Sequence, residues 1–160
     1  MKKVVLLLRV STNSQDYEYQ RSTLTDLCNR NGWQIVNTFE NKVSGAKKNE
    51  ERTEIVELLG YIKNNEVDMV MATEVSRVGR NTLEALKTIE ILNENKVNLY
   101  FANYNIETLL PDKSVNPIAR LILTICLEIS AYERNLIRYR MKAGYDDYLK
   151  RRKEDPALRL

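Results

Sequence analysis

The stretch VVLLLRVST, residues 4–12, decides how the rest of the chain is read. Its five apolar residues do not alternate with polar ones, so they predict a strand covered on both faces, as in the middle of a parallel sheet. The run is far shorter than the roughly 20 apolar residues of a membrane span. Arg9 ends it with no small-residue cleavage site, which argues against a signal peptide and for a cytoplasmic protein. Arg9, Ser11 and Thr12 then stand where such a strand leaves its sheet, the place where open α/β sheets bind ligands.

Strand-like runs and segments of helical period alternate through the chain, the order expected of βα units. After the strand at 3–9 the pattern predicts a helix at 16–30 closed by Asn31-Gly32, a strand at 33–40, a polar loop through Ser44-Gly45 and Lys47-Lys48, and a helix at 52–64. A third strand follows at 68–73. Asn81 and Glu84 have capping-box spacing for the next helix, 97–102 is the fourth strand, and a short fifth is expected near 104–107. The fold class is therefore α/β: three layers, a mainly parallel sheet of four to five strands with helices on both faces, and a long C-terminal helix. Asn116 is a good N-cap, Pro117 fits the first helical position, and nothing breaks the helix before Gly144. About 30 residues of helix measure roughly 45 Å, well beyond the roughly 15 Å radius of gyration of a domain this size. Apolar residues at Ile118, Leu121, Ile122, Ile125, Ile129, Tyr132, Leu136 and Ile137 keep helical spacing past the point where the helix can lie on its own sheet, so a second copy of the chain is the expected cover. The chain divides into 1–112, 113–148 with the long helix, and a basic tail or linker start at 149–160.

Composition narrows the chemistry. The 160 residues include no histidine, which excludes Ser-His-Asp and Cys-His catalysis and His-ligated zinc. Cys28 and Cys126 lie far apart in apolar helical stretches, the usual setting of small buried hydrophobes in a reducing compartment. The net charge of +3 is uneven: residues 134–160 carry nine Lys/Arg against four Asp/Glu, and the rest sums to −2. A basic arm on a near-neutral body suits a polyanion such as nucleic acid, although cations also collect at helix ends for local reasons.

A second stretch, DMVMATEVSRVGRN at 68–81, ends its strand as the first does. If the two strands are neighbours, Arg9, Arg77 and Arg80 converge beside Ser11. Guanidinium forks match phosphate oxygens in pairs; the competing explanation is ion pairing with Glu74 and its neighbours. The five glycines form no phosphate cradle of the Walker or dinucleotide type, so nucleotide cofactors are not expected.

Taken together, these residues closely resemble the catalytic domain of the serine recombinases, the resolvase and invertase group. The resemblance rests on Arg9-Val10-Ser11-Thr12 with Gln15 and Gln20, on Ser44-Gly45 with Arg52, on Ser76-Arg77-Val78-Gly79-Arg80-Asn81, and on Glu133-Arg134, Arg140 and Gly144, and it covers residues 3–148. It implies that 1–112 is a catalytic α/β domain and that Ser11 attacks a scissile phosphodiester of double-stranded DNA, leaving a 5′-phosphoserine link and a free 3′-hydroxyl. Arg9, Arg77 and Arg80 would hold the phosphate, with Arg52 reaching in. Gln15, Gln20, Ser44, Ser76, Glu133 and Arg134 would support them, while Arg134, Arg140, Lys142, Lys150, Arg151 and Arg152 would touch DNA. A homodimer assembling to a tetramer through helix 116–148 is implied, with no metal and no other cofactor.

Physical chemistry agrees with that assignment. The phosphodiester has one negative charge and its five-coordinate transition state about two, so preplaced guanidinium groups bind the transition state more tightly. One catalytic arginine in phosphoryl transfer is worth about 10³–10⁵ in rate. Two departures stand out. Many relatives carry an acidic residue where Ser76 stands, and Glu74, two residues earlier, would point to the opposite side of an extended backbone. Only residues 149–160 follow the long helix, too few for a DNA-recognition module. The alternative function is a catalytically weakened or non-enzymatic dimeric regulatory domain that binds a phosphate ligand.

Overall fold

The computed structural model describes residues 1–10, 14–42, 53–79 and 81–154. Its centre is a five-stranded sheet in the order β2-β1-β3-β4-β5, built from β1 (Lys3–Val10), β2 (Gln34–Lys42), β3 (Met69–Ala72), β4 (Asn98–Phe101) and β5 (Ile106–Glu107). The first four strands are parallel, and β5 runs antiparallel to β4. The helices are α1 (Ser14–Asn31), α2 (Thr53–Asn64), α3 (Thr82–Glu94) and α4 (Pro117–Glu154). Between β3 and α3 lies a single 3₁₀ turn, Val75–Arg77, that the sequence did not foretell.

The apolar run of β1 behaves as its pattern requires. Val4, Leu6 and Leu8 pack toward α1, against Leu24 and Cys28 and beside Met69, Met71 and Tyr100. Val5 and Leu7 face the opposite way, into the larger core under α2, α3 and the start of α4. All five are at most 2% exposed, and each such burial contributes roughly 1.5–3 kcal/mol. Burial also pushes the Cys28 thiol above its ordinary pKa.

Local signals account for where the helices begin and end. Gly32 has φ +65° and closes α1 with two bonds, its own amide to the Asn29 carbonyl at 3.2 Å and that of Trp33 to Cys28 at 2.9 Å. Asn81 Oδ1 accepts from the Glu84 amide at 2.9 Å, the expected cap of α3. Asn116 Oδ1 accepts from the amides of Ile118 and Ala119, both at 3.2 Å, and starts α4.

The end of α4 differs from expectation. The helix passes through Gly144 and continues to Glu154, so residues 149–154 are helical where a tail was expected. A lone glycine costs a helix only about 1 kcal/mol; Lys150, Arg151 and Lys153 are good helix formers, and an Asp147–Arg151 pair one turn apart, at 2.7 Å, helps carry the helix on.

One face of α4, through Ala119, Leu123 and Leu127, joins the core. Another, through Ile118, Leu121, Ile125, Ile129 and Tyr132, is 49–68% exposed. Among the described residues Leu127 is the last buried one, so 128–154 run about 40 Å onward.

Gly79 is set by close approach: a Cβ there would lie 2.3 Å from the Ala85 backbone nitrogen and 2.6 Å from its Cα. Gly79→Ala is therefore expected to lower unfolding free energy by about 1–3 kcal/mol, as overpacking does, with urea denaturation as the measurement. An unchanged midpoint would show that α3 can slide away from the turn.

Candidate active site

Strand order makes the site. From β1 the chain goes out to β2, then returns across β1 to β3, so the reversal lies between β1 and β3 and their carboxyl ends open side by side. The pairing runs Val4 with Met69, Val5 with Val70 and Leu6 with Met71. Carried on at the same register, it sets Arg9 level with Glu74. The helices that follow these strands, α1 and α3, begin at this same edge and add the positive ends of their dipoles to it.

Arg9 is held by its backbone. Gln20, 1% exposed, accepts from the Arg9 amide through Oε1 at 3.2 Å and donates from Nε2 to the Arg9 carbonyl at 3.1 Å. The same Nε2 donates to Asp16 Oδ2 at 3.0 Å. Asp16 Oδ2 in turn lies 3.8 Å from Nη2 of Arg77, whose side chain is only 12% exposed. Arg77 Nη2 also meets Glu74 Oε1 at 2.7 Å, and that oxygen accepts from Ser76 Oγ at 2.7 Å. The end of β1, the first turns of α1 and the turn after β3 thus form one polar chain.

This geometry corrects the expectation for Glu74. The backbone beyond it is not extended but closes into the 3₁₀ turn, with the Arg77 amide bonded to the Glu74 carbonyl at 3.1 Å. A turn of that period brings residues three apart onto one side, so Glu74 faces Arg77. Ion pairing with Glu74 is accordingly real for Arg77, which stands with Arg9 at the carboxyl ends of neighbouring strands.

Other expected residues divide clearly. Gln15 is exposed in the first turn of α1. Glu133, Arg134, Arg140, Lys142, Lys150, Arg151 and Arg152 are exposed along α4, past its last buried residue and away from the sheet edge. Ser11, Ser44, Arg52 and Arg80 lie outside the described residues. Asp16 was missed by sequence reasoning; the available signal was its place four residues before Gln20, on the same face of a helix. Tyr17, next to it, donates to Glu40 of β2; that carboxylate, helped by partial burial, raises the phenol's pKa. Among the described residues no helix is long and apolar enough to cross a membrane.

Comparison with known proteins gives a consistent picture. The profile of the family "Resolvase, N terminal domain" matches residues 4–154. A resolvase of Clostridium perfringens is 31% identical over 136 residues, 85% of this chain and 66% of that protein. The transposon Tn1546 resolvase of Enterococcus faecium is 27% identical over 139 residues, 87% of this chain and 66% of its own length. The chain therefore spans just under two thirds of these curated relatives. Among solved structures, the N-terminal catalytic domain of TP901-1 integrase aligns with a TM-score of 0.61 at 30% identity, over 84% of this chain and 98% of that one. A resolvase family site-specific recombinase from Streptococcus pneumoniae aligns with a TM-score of 0.63 at 26% identity, over 94% and 99%.

Removing the clamp on Arg9 has a defined expected cost. Gln20→Ala deletes three hydrogen bonds at a buried position and should lower stability by about 1–3 kcal/mol, with faster hydrogen exchange at the Arg9 amide. Unaltered exchange at Arg9 in a folded variant would mean that strand pairing alone fixes β1.

Proposed function

The chain belongs to the resolvase N-terminal domain family, and from that premise we propose that it is the catalytic part of a site-specific DNA recombinase. The proposal is supported by the placement of Arg9 at the end of β1 and of Arg77 in the turn after the neighbouring β3, with hydrogen bonds running from the Arg9 backbone through Gln20 and Asp16 to the Arg77 guanidinium. Two arginines at adjacent strand ends, with helix N-termini nearby, favour a phosphodiester, and favour still more the extra negative charge of its transition state.

In this mechanism the Ser11 hydroxyl oxygen bonds to phosphorus, the bond to the 3′ oxygen breaks, and the serine proton is lost as the 3′ oxygen gains one. A 5′-phosphoserine link and a free 3′-hydroxyl result. With no histidine to act as base, the arginines lower the cost of the serine alkoxide. Arg9 and Arg77 hold the phosphate with Arg80 and Arg52. Gln20 fixes Arg9, and Gln15, Ser44, Ser76, Glu133 and Arg134 support the arrangement. Because the phosphoserine ester conserves the broken bond's energy, religation to a new strand needs no nucleotide cofactor and no metal. The protein works in the cytoplasm.

Residues 1–112 carry this chemistry, 113–148 dimerisation and DNA contact, and 149–160 a basic extension. The exposed stripe of α4 from Ile118 to Tyr132 supports a homodimer that assembles to a tetramer on double-stranded DNA. Arg134, Arg140, Lys142, Lys150, Arg151 and Arg152, all exposed, suit the phosphate backbone, which gives affinity without sequence choice.

Two expected outcomes test these points. In the chain fused to a zinc-finger module, on duplex DNA carrying inverted copies of that module's site, Ser11→Ala should abolish the covalent protein–DNA adduct. Arg9→Ala or Arg77→Ala should slow adduct formation about 10³–10⁵-fold with melting temperature little changed. An adduct surviving Ser11→Ala removes Ser11 from its role, and no adduct from the parent favours the phosphate-binding regulatory alternative. Separately, Ile125→Asp with Ile129→Asp should leave the fold intact and sediment as a monomer where the parent sediments as a dimer. A variant that stays dimeric would place the interface elsewhere.

A further inference from the structure

We propose that Glu74 is a positioning residue for Arg77, and that the Ser76 hydroxyl orients Glu74 for that task. One oxygen, Glu74 Oε1, accepts both from Ser76 Oγ and from Arg77 Nη2, each at 2.7 Å. The Glu74 side chain is one-third exposed and that of Arg77 12%, so the pair sits where water competes weakly and its geometry is well defined. The 3₁₀ turn favours the contact, because it sets residues 74 and 77 on the same side.

Glu74 and Asp16 both engage Nη2 of the guanidinium, at 2.7 and 3.8 Å. A carboxylate on one terminal nitrogen fixes the plane of the fork. Asp16 belongs to α1 and reaches Arg77 from the β1 side, so together the carboxylates set the fork's direction relative to Arg9. A brake that masks Arg77 until DNA arrives predicts the opposite result on removal.

The inference rests on the reading of this edge as a DNA-phosphate site, and its test separates the two. With the zinc-finger fusion and inverted-site duplex, Glu74→Ala should slow adduct formation about 10²-fold, the cost of misplacing a reacting group by about 1 Å, with DNA affinity unchanged. Glu74→Gln, which keeps an acceptor oxygen but not the charge, should lie between Glu74→Ala and the parent. Ser76→Asp added to Glu74→Ala should restore most of the rate, because residue 76 already reaches within 2.7 Å of the oxygen that is removed. Adduct formation as fast as or faster than the parent's in Glu74→Ala would overturn the proposal in favour of a brake. A measurement independent of catalysis is proton exchange at the Arg77 guanidinium by NMR, expected to quicken at least about tenfold in Glu74→Ala, or in Glu74→Gln if the alanine variant is unfolded. Unchanged exchange overturns the proposal, and a parent that forms no adduct counts against the recombinase reading and leaves this exchange result to decide the role of Glu74.

Discussion

The parallel pairing of β1 with β3 is the constraint on which the rest depends. The two strands are separated in sequence by a whole excursion through α1, β2 and α2, yet they lie next to each other in the sheet. Neighbouring strands stand about 4.8 Å apart, so the chain leaves the sheet at Arg9 and at the turn that carries Arg77 side by side. Had β3 paired beyond β2, one further strand spacing would separate the two strand ends, and the Asp16 contact that bridges α1 to the turn could not form. Apolar packing on both faces enforces the arrangement: Leu6 and Met71 share one core, Val5 and Val70 the other.

Concentrated positive charge at a half-buried edge is destabilising unless something answers it. A guanidinium as covered as that of Arg77 cannot be left alone without a penalty of several kcal/mol. Glu74 and Asp16 answer it in the protein by itself, and they come from two different elements, so the neutralising groups also carry geometric information. Gln20 fixes Arg9 at its backbone through two neutral hydrogen bonds. The site is preorganised through polar contacts that each tie a strand end to a neighbouring element.

α4 serves two environments at once. Its first turns offer Ala119, Leu123 and Leu127 to the core, and on a neighbouring face they offer Ile118, Leu121, Ile125 and Ile129 to the outside. That exposed apolar face, and its continuation into a basic, largely exposed half, are the features on which the proposed dimer and DNA contacts rest.

The sequence by itself determined most of the elements and the family resemblance. The unbroken apolar run of β1 read as a central strand, Gly32, Asn81 and Asn116 placed helix ends, and the Arg-x-Ser and Arg-x-Gly-Arg spacings carried the resemblance that implies arginine-assisted phosphoryl transfer without a histidine. These features are legible because each depends on residues within a turn or a strand of one another. Tertiary structure alone decided that β1 lies beside β3, that Asp16 joins the site, that Glu74 turns toward Arg77, and which stripe of α4 the core claims. Each of those outcomes depends on contacts between segments remote in sequence, or on a 3₁₀ turn that no local pattern records.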